Sequence, residues 1–231
     1  MSFSDRLYTD FIEQGRYMYL VKGLGNTLLI TAGALLLGVI LGVFAAIVNV
    51  TYANSHKKGP VIRVLKTIVT LYVTIIRGTP VVVQLMLMYF AIWKSGAPIV
   101  VAIVSFGINS GAYVSEVIRS GIQSVDRGQT EAGRSLGLNS RQTMTRIILP
   151  QAFKNVAPAI FNEFISLVKE TSVAGYAGIQ DLTKGGDIIR SITYDAFPPL
   201  LVVALVYLVI VIGLTQVLHV IERRLAQSDL R

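Results

Sequence analysis

Glu163, Ser166 and Glu170 stand at i, i+3 and i+7 within 156–176, a stretch that is otherwise largely apolar. On a helix that spacing puts all three on one face, with Asn162 and Lys169 beside it. Ionisable groups inside a bilayer are costly and by default face a cavity or a partner. The carboxylates of Glu163 and Glu170 can accept hydrogen bonds from a cationic group, and Lys169 or Arg77 can meet an anionic one. Two accounts stay open. Either the face lines a path for a polar solute, or its charges pair at helix or subunit contacts, as buried charges usually do. Asn109, Ser110 and Tyr113 allow the same two accounts, because polar side chains also bond helices to one another. Glu116 reads more simply, since Arg119 lies one turn away and both fall near the end of an apolar run.

These residues need a scaffold, and composition says which kind. Of 231 residues, 53% are hydrophobic and only 15% charged, with a mean hydropathy of +0.62; soluble chains carry about 25% charged residues. The chain is therefore read as an all-α integral membrane protein forming one domain over 1–231. Absence of cysteine excludes a disulfide framework, a thiol nucleophile and a zinc-thiolate site. His56 and His219 are isolated imidazoles near span ends, so no metal site is expected.

A crossing helix needs about 20 mostly apolar residues, which places spans at about 24–50, 62–93, 98–118, 156–176 and 197–221. The polar residues ahead of the first span, with Asp5, Asp10 and Glu13, show no small-residue cleavage site and are expected to stay attached. Within that span Ala34, Gly38, Gly42 and Ala46 form a small-residue face, read as ordinary packing against another helix of the chain. The second apolar region is longer than one straight span, and "RGTP" (Arg77 to Pro80) predicts a kink or break, because proline lacks an amide hydrogen and disfavours helix at Thr79. In the outer loop before the last span, Asp181, Lys184, Asp187 and Arg190 read as a solvated charged loop.

The net charge of +8 bears first on orientation. With the amino terminus outside, the inner segments hold thirteen basic residues, among them Lys57, Lys58, Arg134, Arg141, Arg146 and Arg231, against six outside, with Arg77 and Lys169 unassigned. The positive-inside rule then puts the amino terminus outside and the carboxyl terminus in the cytoplasm. Residues 126–150, which include "TEAGRSLGLNSRQTMTRIILP", become a cytoplasmic loop. Asp126 with Gln129 resembles a capping box for a helix over about 127–136. Gly137 can end that helix in the left-handed conformation. Asn139 or Ser140 can cap a second one, with Pro150 where a further helix would begin. Leu136 and Leu138 tip the corner. An apolar tip with basic flanks suits a protein groove, and without interleaved aromatic residues nucleic acid is not expected.

The spacing Glu131-Ala132-Gly133, three residues, Gly137, nine residues, Ile147, one residue, Leu149-Pro150 resembles the loop signature of the permease subunits of bacterial ABC importers. Gly133 departs from it, since the family usually has alanine there, and glycine weakens a helix by about 1 kcal/mol. "RGTPVVVQL", "NSGAYVSEVIRSGIQSV", "NEFISLVKETSVAGYAGIQDLT" and "KGLGNTLLIT" look like the polar amino acid branch (histidine, glutamine and arginine types), over about Lys22 to Arg224.

The resemblance implies a type I ABC importer permease fold of about five helices with a cytoplasmic helix-turn-helix. It implies a second permease subunit, the same or homologous, enclosing a path in the bacterial cytoplasmic membrane among its lipids. Separate ATPase subunits would bind ATP and magnesium, and an extracytoplasmic binding protein would deliver the amino acid. Glu131, Ala132, Gly133, Leu136, Gly137, Leu138, Ile147, Leu149 and Pro150 would couple to the ATPase. This chain holds no G-x-x-x-x-G-K-[ST] loop, so no cofactor and no catalysis are expected in it. An amino acid zwitterion needs acceptors for its ammonium and donors for its carboxylate. Glu163, Asn162, Ser166, Lys169, Glu170, Arg77 and Asn109 are the candidates. An ion-coupled carrier or channel, or a related permease for another small solute, is the rival. The carrier leaves the 131–150 spacing unexplained and normally shows two matching halves.

Overall fold

The computed structural model describes residues 2–55 and 58–227, so that His56, Lys57 and Arg231 lie outside the described residues. A short helix α1 (Phe3–Leu7) continues as a π turn (Tyr8–Ile12), and α2 (Tyr17–Asn54) follows. At 38 residues, α2 runs about 57 Å and exceeds the expected 24–50 span at both ends. Its apolar run ends near Val50, but no proline interrupts 17–54, so backbone hydrogen bonding carries the helix on beyond it.

The second apolar region breaks at "RGTP". Helix α3 (Pro60–Arg77) stops where the Gly78 N–H bonds the Thr74 carbonyl at 3.0 Å, and Pro80, extended at ψ 134°, opens α4 (Val81–Leu87) with its π continuation Met88–Ile92. The two arms meet at 107°, a corner rather than a gentle kink. Helices α5 (Pro98–Gln123), α6 (Arg127–Ser135) and α7 (Ser140–Thr143) come next, then a π turn (Met144–Ile148) and α8 (Leu149–Glu170). The expected fourth span ends early: residues Thr171–Ala177 form a 3-10 turn closed by Gly178 at φ 74°, where only glycine is relaxed. Helix α9 (Leu182–Thr193) and α10 (Phe197–Gln227) complete the described residues. The last helix passes the expected end at 221 and carries Arg223 and Arg224 on its final turns.

Among the described residues three helices, α2, α5 and α10, are long and apolar enough to cross a membrane, and the bent α3–α4 pair makes a fourth if counted as one span. Helix α8 is not among them. Its 22 residues reach about 33 Å, but Lys154, Glu163, Lys169 and Glu170 dilute its apolar character.

The core lies where α2, α4, α5, α8 and the 3-10 turn converge, around Ile30, Leu85, Phe106, Leu167 and Ala174. Helix α5 is the hub, since 61% of its most apolar stretch is buried against 6% for α10. The small face of α2 packs within the chain. A Cβ on Gly38 would sit 2.8 Å from the Ser110 hydroxyl and one on Gly42 2.5 Å from Val114, while α5 returns the fit with Gly107 against Leu37 and Gly111 against Leu41 and Tyr72.

On the opposite side from the 126–150 corner, α9 packs through Leu182 and Ile189 against Leu20 and Val203. Asp181 is fully buried here, not solvated as its loop position suggested. It caps α9, accepting from the N–H groups of Thr183 and Lys184 at 3.1 and 3.0 Å, and burial pushes its carboxyl above the usual range. Asp187 keeps its expected ionic character, bonded by Lys184 and Arg190, which hold its carboxyl low. Arg6 donates to both oxygens of Asp195 at 2.6 and 2.5 Å and ties the first helix to the α9–α10 turn.

If the reciprocal fit of α2 and α5 holds the fold, Gly42→Leu overpacks it by about 1–3 kcal/mol and lowers the thermal unfolding midpoint of the detergent-purified protein. Gly25→Leu, where nothing lies within 4 Å, leaves the midpoint unchanged. Equal midpoints for the two variants would refute this packing.

Candidate functional site

Two groupings carry chemistry: the charged corner at 126–150 and a polar cluster around Glu163. At the corner, Asp126 Oδ1 accepts from the Gly128 N–H at 2.7 Å, but the capping box foreseen with Gln129 does not close. The Gln129 side chain instead accepts from Gln151 Nε2 at 3.3 Å, which ties α6 to α8. Helix α6 ends at Ser135, one residue earlier than the sequence suggested, with Gly137 at φ 81°. The Gly137 N–H bonds the Arg134 carbonyl at 3.0 Å and the Leu138 N–H bonds that of Gly133 at 3.1 Å, the paired pattern that terminates helices at glycine. Asn139 is the second cap, and its box with Gln142 closes with both bonds at 2.9 Å. Arg134 reaches across to the Ser140 hydroxyl at 2.8 Å and fastens the two arms together.

The corner residues divide by exposure. Glu131, Ala132, Leu136, Gly137, Leu149 and Pro150 are exposed, Leu136 at 81%, whereas Ile147 and Leu138 are half-buried and Gly133 is buried. A Cβ on Gly133 would stand 2.8 Å from Ile147 Cδ1 and 3.0 Å from Thr143 Cγ2. The glycine is therefore filled from outside by its neighbours, and contact replaces the stiffness it gives up. Pro150 does not start a separate helix. The backbone stays helical from Ser140 to Glu170, and Leu149 N–H reaches back five residues to Met144 in the π turn that precedes the proline.

In the polar cluster, Ser110 on α5 donates to Glu163 Oε1 on α8 at 3.0 Å. The carboxylate keeps acceptor capacity for a further donor. Asn109, 3% exposed, spends its amide on Gln84 Oε1 at 3.0 Å. Gln84 in turn donates to the Ile76 carbonyl at 2.8 Å and to Thr79 Oγ1 at 2.7 Å. Arg77 is exposed, with its guanidinium 5.2 Å from the centre of the Tyr113 ring. Ser166 and Glu170 share the half-buried stripe of α8 with Glu163, and Asn162 and Lys169 flank it on the exposed side. The structure thus joins Glu163 to Ser110 and Asn109 to the α3–α4 break, and it leaves Lys169 and Asn162 outside these bonds.

Gln84 is the member that sequence reasoning missed. The signal was present, a lone amide in the apolar run "VVVQLML", where the cost of an unsatisfied polar group in lipid demands a partner. Glu116 and Arg119 form the local pair anticipated, with Arg119 Nε 2.8 Å from Glu116 Oε2. His219 is exposed, 3.2 Å from Glu222. Among the described residues no group of three or more His, Cys, Asp or Glu side chains is placed to hold a metal ion.

Comparison with known proteins places this architecture. Over residues 38–227 the chain matches the family described as "Binding-protein-dependent transport system inner membrane component". It is 35% identical to the arginine transport system permease protein ArtQ of Bacillus subtilis, over 91% of this chain and 94% of that one. It is 36% identical to the L-cystine transport system permease protein TcyB of the same organism, over 94% and 90%. Among solved structures, one titled "Crystal structure of an amino acid ABC transporter with histidines" superposes with a TM-score of 0.84 at 38% identity, covering 93% of this chain and 98% of that one. A methionine ABC transporter, MetNI, at 22% identity and a TM-score of 0.76, shares the fold. With helices that break, cross and turn as these do, the chain belongs to the family of inner membrane components of binding-protein-dependent transport systems.

Proposed function

We propose that this chain is the permease subunit of an ATP-driven importer for a polar amino acid, with its amino terminus outside and the 126–150 corner in the cytoplasm. One observation carries the mechanism: the helix from Ser140 to Glu170 has the corner at one end and Glu163 near the other. The exposed tip, Leu136 with Glu131 and Ala132 beside it, enters a cleft on a separate ATPase, which binds ATP and magnesium. Closure of the ATPases swings the corner, and α8 carries the motion to the polar cluster. The path lies between this chain and a second permease subunit, fed by an extracytoplasmic binding protein. Names of the relatives, arginine and cystine among them, support an amino acid as cargo.

At the path, Glu163 takes the α-ammonium group, positioned by Ser110. Arg77 or Lys169, both exposed, meets the carboxylate. Ser166 and Glu170 continue the polar stripe. Asn109 acts through Gln84, which keeps the α3–α4 corner closed against α5.

Co-purification tests the reading. A pull-down from detergent-solubilised membranes is expected to bring an ATPase with the native chain and none with the Glu131→Lys, Gly137→Asp double variant. Absence of an ATPase from the native sample under gentle conditions would remove the main support. Glu163→Gln is expected to lower uptake of labelled amino acid at least tenfold while the ATPase still co-purifies, and unchanged uptake would exclude Glu163 from the path. Gln84→Leu takes from the Asn109 amide its acceptor and from the Ile76 carbonyl its side-chain donor, and it should destabilise the protein by about 1–3 kcal/mol. An unshifted melting curve would show that the amide does not hold the corner.

A further inference from the structure

Between α2, α5 and the first half of α8 runs a groove with a volume of about 560 Å³. Val43, Ile47, Ile122, Phe153 and Val156 are among its walls, and Thr51 is its one polar side chain. Along α2 it extends from Val39 to Thr51, a rise of about 18 Å. That is close to the depth of one leaflet, half of a hydrocarbon core about 30 Å thick. Its end nearest the corner opens into a second hollow of about 390 Å³, lined by Ser140, Arg141 and Thr145, and the two share Val50, Thr51 and Met144. Arg141 is exposed, and Arg134 approaches through its bond to Ser140.

No Asp or Glu lines either hollow. A cationic headgroup therefore finds no counter-charge there, whereas a phosphate with net negative charge finds the Arg141 guanidinium and the Ser140 hydroxyl, whose oxygen accepts from Arg134 and whose proton is left to donate. We propose that this groove binds one anionic phospholipid, an acyl chain in the slot and the phosphate on Arg141. The lipid then touches Met144, in the π turn that joins the corner to α8, and braces that joint. The assignment to the cytoplasmic leaflet rests on the orientation proposed above; the choice of lipid charge does not.

The test uses the full chain purified with whatever subunits accompany it and placed in phosphatidylcholine nanodiscs. These are doped with phosphatidylglycerol or phosphatidylcholine bearing a photoreactive diazirine on one acyl chain. Illumination is expected to label peptides containing Ile47 or Phe153 at least fivefold more with the anionic lipid. Arg141→Gln should lower that labelling at least fivefold, Arg141→Lys should retain it, and Arg223→Gln should not change it. Ile47→Trp, which fills the slot and leaves Arg141 in place, should also lower it. Equal labelling by both lipids, indifference to Arg141, or a crosslink between two copies of the chain through the groove would each overturn the proposal. ATPase in the same samples is scored separately, so failure of the importer reading and failure of the lipid site stay distinct.

Discussion

Everything else in this fold depends on how closely two backbones can approach. In a bilayer, lipid tails are as apolar as leucine, so helices associate through packing and hydrogen bonds rather than through escape from water. Helices α2 and α5 meet that constraint reciprocally: Gly38 and Gly42 admit Ser110 and Val114, while Gly107 and Gly111 admit Leu37 and Leu41. That contact fixes the axis of α5, and α5 in turn presents Asn109 and Ser110 from a buried position. The side chains that reach Glu163 and Gln84 are therefore aimed by methylene-scale fit at and beside their own positions.

The polar cluster is a second consequence of lipid as solvent. Breaking α3 from α4 at Gly78 and Pro80 leaves carbonyls without their helical partners, and at this depth no water is assured to reach them. Gln84 supplies donors to Ile76 and Thr79 from one turn inside the next helix, and Asn109 completes it from α5. The break and the polar residues Gln84 and Asn109 thus require each other. An apolar residue at Gln84 would make the corner costly, and without the corner a half-buried glutamine would have no purpose.

Much of this was legible where local rules decide. Asp126, Gly137 and Asn139 cap and end helices through bonds within a few residues, so the corner could be read to within one or two positions. The break at "RGTP" followed from proline chemistry alone. What escaped was set by contacts distant in sequence. Gln129 abandoned its box for Gln151, a residue 22 positions away. Asp181 was buried by α2 and α10 rather than left in a solvated loop, as its Tyr207 and Leu182–Thr27 neighbourhood shows. Span limits were blurred for another reason: hydropathy measures where lipid ends, whereas α2 ends only where Ser55 turns extended.

The continuous helical course from Ser140 to Glu170 bears on how torque would travel under the proposed coupling. A straight helix transmits rotation and axial push with little loss, and compliance concentrates where the hydrogen-bond ladder is interrupted. Here there are two such points, the π turn at Met144–Ile148 and Pro158. The segment between them is a stiff strut, while Glu163 lies beyond the second joint. Under the proposed coupling, motion at the corner would arrive at the carboxylate as a change of tilt about Pro158 rather than as simple translation. The gearing between the two ends would then be set by a proline that lies between them.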